Sequence, residues 1–485
     1  MHKGIVMALA SMGLTGLVNA QGMVPLTDVQ LSETTGQALM SLNYIDPAAT
    51  KNPMKGIVTN GQSNKIGFYK LGMEAEIELN ANIKNLQLGC GGVNGAGSCD
   101  IDIKNLSLSG LPSSYDAVGN PVYSEGRAST SGKMTNPFME FAISNPESSS
   151  TRELKGIRFS AEKIDALLSA GVNNGATAST TDGIQNLSGF MQIAATSGTA
   201  VTKPTVFGTG SNQALTGYAN ISGLGNASFV SDPSKSVGIA IPSMNVNFNI
   251  PQFTVNGVRN TKAVVNDILT NISSIPLDSN RNDSLYVNLG CSAPGAGLCG
   301  LITGVVPNTT FKMDAGSNIT NLNMNITFEQ ALSMIHNIPL TGTGGYLAMQ
   351  STSLLWPGAT IAVSDIGKTS LADMSNGTDV AKTGWWMSFA QEVQLGKLNV
   401  TNPVSIDSVL PQVSTLVSSA LQKSPYTYVN FGSAIGALTG SPITQKINVD
   451  LGSYTQSNPA TMTLLNQQLN NQNVVSNCYG SLKFC

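Results

Sequence analysis

The sequence predicts a mainly β protein: elongated antiparallel sheets, sandwich-like or extended, with a few short helices and disulfide-stapled hairpins. Apolar and polar residues alternate over long runs, the mark of a strand with one wet face. Only 11% of the 485 residues are charged, against about 25% in an average soluble domain, so polarity rests on Asn, Ser, Thr and Gly. Six cysteines form three local pairs, Cys90 with Cys99, Cys291 with Cys299 and Cys478 with Cys485. In an exported chain, such close pairs imply disulfides.

Export is expected from the first segment. MHKGIVMALASMGLTGLVNAQGM carries one charge, Lys3, then an apolar run to Val18, with Val18 and Ala20 where a signal peptidase reads. Residues 1–20 are therefore expected to be a signal peptide. The run is shorter than the roughly 20 residues of a membrane-spanning helix, and no later run is longer, so no helical membrane span is expected. Loss of Lys3 moves the formal charge from -3 to -4, which makes nucleic acid an unsuitable partner.

Next comes VPLTDVQLSETTGQAL. Thr27 and Gln30 can cap reciprocally, Leu26 and Leu31 sit at staple positions and Gly36 is a stop, which predicts a short helix from Asp28 to Thr35. From Leu71 the alternation is long: Leu71, Met73, Ala75, Ile77, Leu79, Ala81 and Ile83 oppose Glu74, Glu76, Glu78, Asn80, Asn82 and Lys84. Strands are also predicted in NVNFNI (245–250) and NLNMNITF (321–328). Helical periodicity predicts short helices near 161–170, 262–274, 327–336 and 409–422. Loops rich in Gly, Ser, Thr, Asn and Pro occupy 112–136, 171–183 and 196–214.

The first cysteine pair sets a register. If Cys90 faces Cys99 across a hairpin, facing residues sum to 189, and the identical tetrads IKNL at 83–86 and 103–106 fall opposite each other. Ile83 then meets Leu106, Leu86 meets Ile103, Leu88 meets Ile101, Lys84 meets Asn105 and Asn85 meets Lys104. Both tetrads shift the apolar phase by one residue at Lys-Asn, which predicts a bulge or twist there. YVNLGCSAPGAGLCGLITGV echoes the device: Cys291 would face Cys299, Leu289 Leu301, Val287 Thr303 and Leu285 Val305. The echo places a boundary near 255, giving β-rich units 21–255 and 256–485, the second ending in a Cys478–Cys485 clip. Each closure is worth roughly 2 to 3 kcal/mol in the chain-entropy model.

Motifs for chemistry are sparse. Structural zinc needs Cys doublets two to four residues apart, and these spacings are wider. Asp100 and Asp102 share a strand face and are expected to solvate it. AVSDIGKTS, with Ala362, Gly367, Lys368 and Thr369, fits a loosened phosphate loop, but its surroundings predict strand, turn, strand rather than strand and helix. No Gly-x-Ser-x-Gly elbow occurs. Past His2 the single histidine is His336, expected in the last turn of a helix capped by Thr327 and Gln330, where it would bond terminal carbonyls. Trp356, Trp385 and Trp386, with Phe389, are expected in the core rather than on a sugar-binding surface. No catalytic residue, cofactor or metal ligand is predicted.

VPLTDVQLSETTGQAL, the stretch from Gly67 to Pro112 and the terminal NCYGSLKFC resemble the pilus assembly protein FilA family of exported proteins from Acinetobacter and related gammaproteobacteria. The resemblance extends through RFSAEKI (158–164) to the end. It implies a cell-surface or filament role and brings no catalytic residues. Some relatives carry a haem-utilisation label, for which one histidine at a helix end is thin material. The expectation is a non-catalytic structural protein of a Gram-negative periplasm, outer-membrane surface or extracellular filament. It would act in pilus-like filament assembly or adhesion, with partners from the filament or assembly system, itself included. The alternatives are a binding protein for haem or another apolar ligand, and an outer-membrane β-barrel, which 6% aromatics suits poorly.

Overall fold

The computed structural model describes residues 40–479 except 60, 61, 64, 176, 390, 400–402, 456 and 458. The expected signal peptide, the helix at 28–35 and Cys485 lie outside the described residues. The chain is mainly β, with several antiparallel sheets and few short helices.

The largest sheet has twelve strands, organised around the strand Glu153–Ala170. One of its edges pairs with Gly132–Ser144 and then Ile101–Ser109; the other pairs with Tyr346–Gln350 and then Asn337–Gly342. From Tyr346–Gln350 the ladder runs through Gly384–Ser388 and Gly183–Ile193 to Ile101–Ser109, and so back to its start. That closed circuit leaves a flap, Gly132–Ser144, Ile66–Met73 and Met40–Ile45, ending in a terminal strand.

Two further sheets pack against this frame. Lys262–Pro276 pairs with Asn318–Ala331, which also takes Asn448–Asp450 and Ala460–Leu465. A six-stranded sheet shares apolar contacts with the helix Leu410–Leu421, formed where 409–422 was predicted. Its Leu410, Val413, Val417 and Leu421 recur on one buried face, and Pro411 sits in the first turn, where its missing N–H removes no helical bond. One continuous core joins Ile101 and Met191, Ile268 and Phe328, Phe229 and Phe311, and Val417. A second core gathers Phe68, Phe190, Trp356 and Trp386. Pairing crosses residue 255 repeatedly: Gly183–Ile193 with Phe253–Asn260, Gly225–Ser231 with Leu285–Gly290, and Glu153–Ala170 with Asn337–Gly342.

Three predicted helices are strands. Residues 161–170 close the strand Glu153–Ala170, whose last five residues are all buried. With both faces covered, the period-2 signal vanishes and Ile164, Leu167 and Leu168 take on a helical spacing. Residues 262–274 lie in Lys262–Pro276, where a bulge with Asp267 at φ 61° spaces the buried Ala263, Val265, Ile268, Ile272 and Ile275 by two, three, four and three. Residues 327–331 end a strand in which Gln330 is buried rather than capping, followed by one 3-10 turn, Leu332–Met334. The single long strand predicted from Leu71 is also broken, into Ile66–Met73, Glu76–Leu79 and Ala81–Leu88. Asn136, at φ 48°, donates its N–H to the Ala75 carbonyl at the first break.

The first cysteine register holds on either side of one position: Ile83 faces Leu106, Asn85 faces Lys104, Leu86 faces Ile103 and Leu88 faces Ile101, while the expected facing of Lys84 and Asn105 is not among its pairs. Asn105 is left-handed at φ 55°, so the twist sits where the tetrads shift phase. Cys90 and Cys99 have their sulfurs at bonding distance, as do Cys291 and Cys299. The second register is different from the expected one. Cys299–Val305 is a short helix, and Leu285 faces Phe311 while Val287 faces Thr309. Pro307 cannot donate to a ladder; its carbonyl accepts from Leu289, and the strand begins one residue later.

The tail from Leu469 to Cys478 forms no strand yet crosses the frame, held largely by side chains. Gln472 Oε1 accepts from the backbone of His336 and Asn337, each at 2.7 Å, and Asn337 Nδ2 donates to Asn473 O at 2.9 Å. Asn477 exchanges hydrogen bonds with Asn80 and Asn82. Arg127, 1% exposed, donates to Ser109 Oγ, Ser169 Oγ and the carbonyls of Ser107, Leu167 and Val475. Burial pulls its pKa down to about 10. All five partners are neutral oxygens. Replacing Arg127 with Met removes a donor from each, with an expected loss of about 3 kcal/mol in urea unfolding, and the tail should become the first site cut in limited proteolysis.

Candidate functional site

Where the flap leaves the frame, an apolar groove of about 490 Å³ opens. Leu71 and Met73 reach it from Ile66–Met73, Met134, Phe138 and Met139 from Gly132–Ser144, and Phe159 and Ile164 from the central strand. Leu340, Leu347, Met387 and Phe389 complete it, and Met40 stands at its lip. Methionine is the commonest residue of the wall, and its unbranched thioether adapts to ligands of varied shape. Burying one side chain of Leu or Met size in such a groove is worth roughly 1.5 to 3 kcal/mol.

The floor hides a polar network. Tyr346 and Ser388 line the groove, but Tyr346 OH donates to Asp379 Oδ2 at 2.8 Å and Ser388 Oγ to the same oxygen at 2.6 Å. Trp386 Nε1 donates to Oδ1 at 2.9 Å. Burial pushes the Asp379 carboxyl up from its ordinary range, and these donors pull against it. Burial and then the Asp379 charge push the Tyr346 phenol well above its own. Beside them Arg158 pairs with buried Glu140 and lies over Phe138, Tyr346 and Trp356, each ring centre 5.3 to 5.4 Å away. Apart from Arg158 Nε, which is buried without a hydrogen-bond partner, these polar atoms are satisfied inside the protein, and the floor presents rings and methyls, suited to an apolar guest.

Of the motif residues singled out in the sequence, Phe389 lines the groove and Trp386 bonds the carboxylate beneath it, while the others lie elsewhere or serve the frame. Trp356 and Trp386 are fully buried and Phe389 nearly so, while Trp385 is partly buried. Asp100 is buried, not solvating as expected: Arg259 Nε lies 3.2 Å from Oδ1, and Asn94 Nδ2 and the Trp385 N–H also donate to the carboxylate. Two glycines press on it. A Cβ at Gly89, at φ 68°, would come within 2.3 Å of Oδ2, and one at Gly384 within 2.4 Å, so Asp100 fixes the disulfide loop against the sheet. Asp102 instead pairs with Lys104.

The segment 359–376 has 3-10 turns, Val363–Asp365 and Leu371–Asp373, in place of the expected strand, turn and strand. Lys368 donates to Asp365 Oδ1 at 2.8 Å and to the Asp373 carbonyl at 2.7 Å. The Lys368 ammonium and the Thr378 hydroxyl hold the Asp365 carboxyl far below the ordinary range. Lys368 thus pins a loop. His336 follows the 3-10 turn instead of ending a helix, and its Nδ1 donates to the Ala170 carbonyl at 2.6 Å. Burial lowers its pKa, against that hydrogen bond and the charge of Asp182. Cys478 is buried. Among the described residues, no cluster of three or more His, Cys, Asp or Glu could hold a metal. Compared with protein-family models, curated proteins and solved structures, the chain gives no match.

Two measurements test this description. Tyr346→Phe deletes a hydrogen bond to a buried carboxylate and should cost about 1.5 to 3 kcal/mol in urea unfolding, with near-ultraviolet circular dichroism otherwise native. For His336, the folded ring is held neutral with a pKa below the ordinary 6.5, so acid protonates the unfolded chain first. Its contribution is present above about pH 6.5 and is lost as pH falls toward the folded pKa. Asp379 and Glu140, with raised values, act with the opposite sign in both proteins. The difference in urea midpoint between wild type and His336→Gln should therefore shrink steadily from about pH 7 to pH 5.

Proposed function

We propose that the chain is an exported, non-catalytic β scaffold of a surface filament or its assembly machinery, which engages a partner through the groove and the strand beside it. The carrying observation is the terminal strand Met40–Ile45, MSLNYI. It ends the twelve-stranded sheet, bears no charge, and leaves Met40 55% and Leu42 71% exposed. Sheet edges are ordinarily blunted by lysine, proline or a bulge, because unpaired N–H and C=O groups template another strand. Nothing in MSLNYI blunts it. A partner segment adding there would lie about 4.8 Å outside, and its alternate side chains would point toward the groove mouth at Met40.

The low charge, the signal-like leader and the resemblance to pilus assembly proteins support the same reading. A second copy of the chain and a different filament component are both suitable partners. The groove's volume and apolar walls support a second reading, in which a small apolar molecule is the guest.

Leu42→Lys places a charge on the edge without touching the core. Its urea midpoint should stay within about 0.5 kcal/mol of wild type, while partner capture and self-association in sedimentation are lost. Electron microscopy of cells carrying only this variant should show fewer surface fibres, as should cells lacking the chain. Unchanged fibres and association in both would overturn the filament reading. Binding of an apolar fluorescent probe by wild type, abolished by Met139→Glu but not by Leu42→Lys, would favour the small-molecule reading.

A further inference from the structure

A second apolar surface lies at one end of the six-stranded sheet, built by three connections. The turn 222–224 joins Thr216–Ile221 to Gly225–Ser231. The disulfide loop and helix Cys299–Val305 join Leu285–Gly290 to Asn308–Met313. The helix Phe431–Leu438 joins Thr427–Val429 to Ile443–Gln445. The registers put all three at the same end: Ser228 faces Gly290, Asn288 faces Asn308, Ile221 lies beside Val429 and Phe311 beside Ile443. They also touch. Ser222 N donates to Val429 O at 3.0 Å, and Asn226 Nδ2 to Pro294 O at 2.6 Å.

The exposed side chains here are large and apolar. Leu298, Leu301 and Val305 on one helix and its approach, and Phe431, Ile435 and Leu438 on the other, are between 46% and 69% exposed. On the second helix they recur at four and three residues, a single outward stripe, while Ala434 and Ala437 pack inward. Asn430 caps that helix, accepting from Ser433 N at 2.8 Å.

Among the described residues, the three connections that build this end carry no charge. Segments 219–229, 287–311 and 424–445 contain no Asp, Glu, Lys or Arg, where the chain's 11% would give about six. The opposite end of the same strands carries Asp232, Asp283, Lys312, Lys423 and Lys446. Charge is thus segregated along the sheet.

We infer that this end inserts into the interfacial layer of a lipid bilayer. Side chains this exposed stand proud of the surface, so a protein partner would need a matching pocket for each, whereas a bilayer admits them without one. A charge at this depth would carry a desolvation cost, and none is present. The two short helices pair only part of their backbone internally, which suits the interfacial layer, where water still reaches the remaining groups, rather than the hydrocarbon core. Tyr428, 57% exposed on the adjoining strand, supplies an amphipathic ring at headgroup height. Because no basic residue contributes, attachment is to neutral lipid and is insensitive to salt.

The test is flotation of the purified full chain with phosphatidylcholine vesicles at low and high salt. Wild type should float equally in both, and the quadruple variant L301S/V305S/F431S/L438S should bind about tenfold more weakly or worse. Those positions are exposed, so circular dichroism and the urea midpoint should be unchanged. Leu269→Ser, at a similarly exposed leucine on another sheet, should float as wild type does. Failure of wild type to float would overturn the inference, as would a quadruple variant that floats normally or a Leu269→Ser variant equally impaired. Loss of self-association in the quadruple variant, with no flotation by wild type, would assign the surface to a second copy instead.

Discussion

The structure depends on a strand that is paired on both of its edges. Glu153–Ala170 is hydrogen-bonded along both sides to four others, which reach it from positions 101–109, 132–144, 337–342 and 346–350. A strand so enclosed carries its own backbone groups into the interior already satisfied, and its last turn of side chains can be apolar on both faces. It also forces the chain to interleave, since early and late segments must meet across it. The groove exists because two ladders diverge from this strand, one into the closed circuit and one into the flap. Their facing apolar surfaces are left partly uncovered between them.

What could be read from the sequence was whatever local spacing determines. NVNFNI is a strand over Asn245–Ile250 with Val246, Phe248 and Ile250 buried, and the 409–422 periodicity is a helix, because each has one buried face and no interruption. The first cysteine register was legible because disulfide and apolar matching constrain the same pairs. Asparagine explains much of the rest. Asn105 in IKNL and Asn321 in ITNL both adopt φ 55°, which brings Ile103 with Leu106, and Ile319 with Leu322, to the same buried side three residues apart. Asparagine tolerates that conformation better than most side chains. Read without it, a spacing of three is a helical signal.

The candidate site was less legible than the fold. Its walls come from segments more than 300 residues apart, and Leu71 and Met73 carry the same alternation as core residues although they face a groove. Five methionines, at 40, 73, 134, 139 and 387, line it, but no local spacing links them. Asp379 gave no signal either, since its three donors are brought to it only by the pairing of Tyr346–Gln350 with Gly384–Ser388. The second cysteine pair shows the same limit: the bond was predictable, whereas beyond it the chain turns through the helix Cys299–Val305 and Pro307 before pairing resumes, with Phe311 opposite Leu285.

The tail across the frame bears on timing. Synthesis delivers residues 469–478 after every group they hold, including Arg127, Asn80 and the His336 backbone. Until Val475 arrives, a buried guanidinium lacks one of its acceptors and the strands on either side lack their tie. Closure across these strands therefore waits on a segment made after all of them.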